Sequence, residues 1–69
     1  MNAAPVKRHT PMTGAEMRGM RAKLDMTQMQ LAAELDLHER TISHYEHERR
    51  PIPRSVALAM IFLMEGSNA

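Results

Sequence analysis

The chain has 69 residues, no cysteine, and a net charge of +1 from nine Lys and Arg against eight Asp and Glu. That is one small domain with a marginal core, and it has neither a disulfide framework nor a cysteine-based zinc site. Its only aromatics are Tyr45 and Phe62, so it offers almost no platform for stacking unpaired bases, which counts against a single-strand nucleic-acid binder.

Residues 1–11 carry Pro5 and Pro11 around Val6-Lys7-Arg8-His9 and are expected to form a disordered basic arm. From Thr13 onward every segment has helical periodicity, and no alternating strand pattern competes with it. Thr13-Gly14-Ala15-Glu16 has the capping-box spacing, with Glu three residues after Thr. It opens a helix over about 14–25, with Met17, Met20 and Leu24 on one face. Thr27-Gln28-Met29-Gln30 is a second capping box. The helix it opens ends near Leu35 and buries Leu31, Ala32 and Leu35.

Asp36-Leu37-His38 is too short for a loose loop. Asp36 is one of the few non-glycine types that tolerates the left-handed conformation a tight turn needs. A third helix follows over about 39–48, with Ile42 and Tyr45 inward and Glu39, Arg40, Ser43, His44 and His47 outward. Pro51 forbids its continuation. Pro53 suits the first turn of a fourth helix, and Gly66 its end.

The fourth helix contains nine consecutive apolar residues, Val56 to Met64. That is far too short to span a membrane. The N-terminus has no apolar stretch of the secretory kind, so a cytoplasmic location is expected. A helix that is apolar all round must be covered all round. Leu58, Ile61 and Phe62 are assigned to the domain's own core, and Val56, Met60 and Leu63 to a second copy. The sequence does not fix which face does which job. The expected architecture is all-α, a compact bundle of four to five helices over residues 12–66, followed by a short tail at 67–69.

Two short helices joined by a tight turn, the second presenting long polar side chains, form a helix-turn-helix. Thr27-Gln28-x-x-Leu31-Ala32-x-x-Leu35-x-Leu37-x-x-x-Thr41-Ile42-Ser43-x-Tyr45-Glu46-x-x-Arg49-x-Pro51 also resembles the phage-repressor/Cro-type (Xre-like) DNA-binding family. Arg21-x-x-Leu24-x-Met26-Thr27-Gln28 matches the upstream part of the same pattern. The resemblance covers roughly residues 13–62 and implies a lambda-repressor-like fold that binds duplex DNA. It departs at two positions: the family has glycine where Asp36 and Glu48 stand. A carboxylate at position 48 has to point away from phosphate.

The resemblance implies a role for each of several residues. Arg40, near the start of helix three, is expected to reach guanine O6 and N7. Its plainer alternative is a surface pair with Glu39 or Glu34, worth little energy. Glu39 either accepts from cytosine N4, repels wrong sequences, or orients Arg40. Ser43 and His44 lie one turn further along the same face, within reach of bases or phosphate, or else simply solvated. Thr27 and Gln28 are expected at a phosphate, since the helix N-terminus favours an anion; Thr27 also serves as a plain N-cap. Arg49 and Arg50 are expected to bind phosphate without sequence preference. Arg54 and Lys7-Arg8 are weaker candidates. Arg21 and Glu46 are read as a structural ion pair that fixes the angle of helix three.

Charge alternates along the chain. The first third is basic, Asp25 to Glu39 is acidic, and Arg40 to Arg54 is basic again. That asymmetry permits nucleic-acid contact. A metal site from His38, His44 and His47 lacks a fourth ligand, so no metal or cofactor is expected. Nothing resembles a nucleophile–base–orienter set, so no enzyme is expected. The eight methionines read as core filler. The leading function is a small dimeric transcriptional regulator, a repressor or autoregulator, reading an inverted repeat in duplex DNA. The alternative is an antitoxin-like module of the same fold that works mainly through a protein partner.

Overall fold

The computed structural model describes residues 11–67, with side chains to Gly66. The expected arm at 1–11, Pro11 excepted, and residues 68–69 of the tail lie outside the described residues. Among the described residues four helices follow one another: α1 Gly14–Lys23, α2 Gln28–Leu35, α3 Glu39–Glu46 and α4 Arg54–Ser67. α2 packs on α3, and α1 packs on both α3 and α4. Met17, Leu31, Ile42 and Met60 are fully buried at the centre, with Ala32, Tyr45 and Ile52 beside them.

Local sequence sets the helix starts. Thr13 Oγ accepts from the Glu16 N–H at 3.0 Å, and Glu16 accepts in return from the Thr13 N–H at 2.8 Å. Thr27 and Gln30 repeat the arrangement at the start of α2 with the same two distances. Each box satisfies two N–H groups that the helix itself cannot.

The helix ends share a different device. Asp25, Asp36 and Glu48 all have positive φ, at 58°, 57° and 61°. After each, the next N–H reaches back five residues: Met26 to the Arg21 carbonyl, Leu37 to Ala32 and Arg49 to His44. These are Schellman closures with an acidic residue at the left-handed position where glycine is commonest. They explain why α1 stops before residue 25 and α3 before residue 48. α4 differs from expectation at its end, running through Gly66 to Ser67 instead of stopping at the glycine.

Glu48 offsets its backbone cost through its side chain. The carboxylate accepts from the N–H of Gly14, the first residue of α1. It is thus turned towards the positive end of a helix dipole, where a negative charge is stabilised. The two chain segments touch here. A Cβ on Gly14 would lie 2.5 Å from the Glu46 carbonyl oxygen and 2.6 Å from that of Tyr45. Both obstacles are backbone, so glycine is required for the approach.

The packing of α4 reverses the expected assignment of its faces. Met60 is fully buried, and Val56 and Leu63 pack against the core. Leu58, Ile61 and Phe62 are instead 52%, 41% and 72% exposed. Met60 is therefore closed off as a dimer surface, and Val56 and Leu63 belong to the face turned to the core. The physical reason is the direction from which α1 approaches: a helix apolar all round has no phase of its own, and its neighbour chooses the buried side.

Three stability outcomes follow, all readable by chemical denaturation. Gly14→Ala destabilises by about 1–3 kcal/mol through forced backbone movement. Asp36→Gly, freed of left-handed strain and of a negative charge at a helix C-terminus, stabilises by about 1 kcal/mol. Glu48→Gly gains less than Asp36→Gly, because it also removes the bond to Gly14.

Candidate nucleic-acid interface

The site rests on a buried carboxylate. Glu46, the last residue of α3, is 3% exposed. Its Oε2 accepts from Arg21 Nε at 2.6 Å and its Oε1 from Arg21 Nη2 at 2.9 Å, a two-pronged pair. Arg21 Nη1 also donates to the Met26 carbonyl at 3.1 Å. Gln28 Nε2 adds a third bond to Glu46 Oε1 at 3.0 Å. Burial alone would raise the Glu46 carboxyl, but the bonds from Arg21 and Gln28 and the charges of Arg21 and Arg18 outweigh it and hold it below its ordinary value. The hydrogen bond to Glu46 holds the Arg21 guanidinium above its ordinary value.

This pair fixes α3 from behind. Ile42, Tyr45 and Glu46 face inward, and the other side of the helix opens onto a groove of about 460 Å³. The groove is lined by Glu39, Arg40, Ser43 and His44, the four expected base contacts, together with Gln28 and Arg49. The structure thus brings six of the eight expected DNA contacts to one surface. Thr27 and Arg50 are not among the lining residues. Thr27 Oγ is occupied as the α2 cap.

Two further residues line the groove, His38 and His47. His38 is the N-cap of α3, its Nδ1 accepting from the Arg40 N–H at 3.2 Å. The cap therefore also holds the backbone of the residue expected to read guanine. His47 is the C-cap and bonds the Ser43 carbonyl at 2.8 Å. A histidine in place of the usual Ser, Thr, Asn or Asp cap hid the first of these roles. The outward spacing of His47 relative to Arg40 and His44 was the available signal for the second. Among the described residues no group of three His, Cys, Asp or Glu side chains could hold a metal ion.

Two short helices at a left-handed turn, the second locked at its base and polar on its open face, define a helix-turn-helix domain. The helix-turn-helix family description matches residues 17–61, and the chain belongs to this phage-repressor/Cro-type (Xre-like) family. It is a family of DNA-binding regulators, typically non-enzymatic. No curated protein matches the chain. Among the described residues no helix is long and apolar enough to cross a membrane.

The Glu46 carboxyl gives a pH outcome with a defined sign. Its folded-state pKa is depressed, so its stabilisation is present above the ordinary value of 4.5 and is lost as pH falls through the lower folded value. Arg21→Ala, which leaves the carboxylate without its main partner, costs about 1–3 kcal/mol at neutral pH, and Glu46→Gln costs less. In denaturation curves taken at successive pH values, the gap between the wild type and Glu46→Gln closes as acid protonates the native carboxylate.

Proposed function

We propose that this chain is a sequence-specific duplex-DNA binder acting as a small dimeric repressor or autoregulator at an inverted-repeat site. One observation carries the reading: Glu39, Arg40, Ser43 and His44 face one open groove from a helix whose opposite side is clamped by Arg21 and Gln28. A clamped helix can present side chains to base edges in a fixed register, which direct readout requires. Arg40 takes guanine, Glu39 orients it or accepts from cytosine, and Ser43 and His44 read the next bases or the adjacent phosphate.

Gln28 has a double task. One proton of its amide nitrogen is held by Glu46, and the second reaches a phosphate. The first-turn N–H groups of Gln28 and Met29, which lie outside the capping box, face the same anion. Thr27 supports this phosphate contact by holding the helix start, and Arg49 and Arg50 bind the backbone beyond α3.

The dimer forms through the face of α4 that the core leaves uncovered, Leu58, Ile61 and Phe62. These residues are spaced i, i+3, i+4, so two copies can cover one another along a single stripe. The paired recognition helices then stand about 34 Å apart, one turn of the duplex. A protein partner seated on the same stripe is the competing occupant, and the mass of the free chain separates the two. DNA regulation of this kind belongs in the cytoplasm of a prokaryotic cell.

Two sets of variants test the reading. Arg40→Ala weakens specific binding by about 1–3 kcal/mol and relaxes one base position per half-site, whereas Arg50→Ala weakens all sequences alike. Equal losses on selected and random duplexes would remove Arg40 from direct readout. Phe62→Asp or Leu58→Asp yields folded monomers with lost operator affinity, read by sedimentation and circular dichroism. Met60→Asp instead unfolds the domain, because it puts an unpaired carboxylate at a fully buried position. A wild type that sediments as a monomer at micromolar concentration would end the dimer proposal and leave the DNA contacts standing.

A further inference from the structure

The two histidines at the ends of α3 carry their protons on opposite nitrogens. His38 Nδ1 accepts from the Arg40 N–H, so in the neutral ring the proton sits on Nε2. His47 Nδ1 lies 2.8 Å from the Ser43 carbonyl oxygen and 3.4 Å from Ser43 Oγ. A carbonyl can only accept, so here Nδ1 holds the proton and Nε2 is the bare acceptor. A DNA phosphate can also only accept. His38 can therefore donate to an anion while neutral, and His47 can do so only after taking up a second proton.

The helix makes the same distinction. A second proton on His38 would break the cap and put a cation at the positive end of α3, whereas on His47 it puts a cation at the negative end. His47 is exposed and lines the groove with Arg40 and Arg49.

The charged groups around His47 leave room for a phosphate as its partner. On α3 they are Glu39, Arg40, His44 and Glu46, with Glu39 about 12 Å away along the helix axis and Glu46 buried in its pair with Arg21. In the following loop they are Glu48, Arg49 and Arg50, and the Glu48 carboxylate is turned to the Gly14 N–H. From α1, Arg21 and Arg18 act on the neighbouring Glu46. From α2, the groove is lined by the uncharged Gln28.

We propose that His47 is a phosphate contact whose ring takes up a proton as duplex DNA binds, so that affinity for DNA is linked to pH. The inference rests on the DNA-binding reading above. The sign follows from linkage. A bound phosphate favours the charged ring, so the extra affinity is present at low pH and is lost as pH rises.

The test titrates the full chain with a mixed-sequence duplex over a range of salt, at about pH 6 and about pH 8. Binding is tighter at the lower pH, by up to about tenfold per pH unit for each bound chain. The slope of log affinity against log salt is also steeper there by about 0.9 per chain, because one more cation meets phosphate. A purely structural C-cap would leave that slope unchanged. His47→Gln equalises the two slopes while helix content stays the same. His38→Asn, which retains a capping side chain, keeps them different. Equal slopes in the wild type, or a difference that survives in His47→Gln, overturn the inference and leave DNA binding intact. Absence of duplex binding at both pH values overturns the DNA-binding reading, and this inference with it.

Discussion

Glu46 brings three helices to one carboxylate. It ends α3, takes two bonds from Arg21 of α1, and takes a third from Gln28 at the start of α2. A carboxylate that is 3% exposed is costly to leave unpaired. Satisfying it ties the end of α3 to α1 and to the start of α2. The groove on the far side of α3 inherits its shape from this constraint. In so small a domain, where the hydrophobic core is limited to a handful of side chains, a charged clamp supplies the orientational definition that packing alone would leave loose.

Gln28 shows how the clamp and the groove communicate. The same amide that donates to Glu46 also lines the open surface. A ligand drawing on that amide acts directly on the group that fixes the recognition helix. His38 plays a similar part at the other end, because its ring caps α3 through the backbone of Arg40. The polar face of α3 is thus anchored at both ends by residues that themselves border the groove.

What the sequence made legible was mostly local. Both capping boxes depend on residues three apart, so their spacing could be read directly. The left-handed turn at Asp36 was legible for the same reason, because it is a property of one residue type at one position. Arg21 with Glu46 came from the resemblance to a family pattern, and periodicity could not have supplied it. The Gln28 bond to Glu46 was missed: it joins residues eighteen apart, and Gln28 already had a plausible role at the helix start. The faces of α4 were exchanged because nine apolar residues in a row give no periodic phase. The acidic residue at position 48 looked like a misfit beside DNA until its partner, Gly14, was found 34 positions away.

The junction between Gly14 and the end of α3 also bears on how the domain comes apart. Helices ordinarily fray from their ends independently of one another. Here the first N–H of α1 is held by the loop that terminates α3, and the Gly14 backbone lies directly against the last carbonyls of α3. Neither terminus can loosen without disturbing the other. The last turn of the recognition helix and the first turn of α1 therefore form one cooperative unit, closed by contacts between segments more than thirty residues apart. The end of α3 is thus braced by a remote part of the chain, and loosening either terminus removes support from the other.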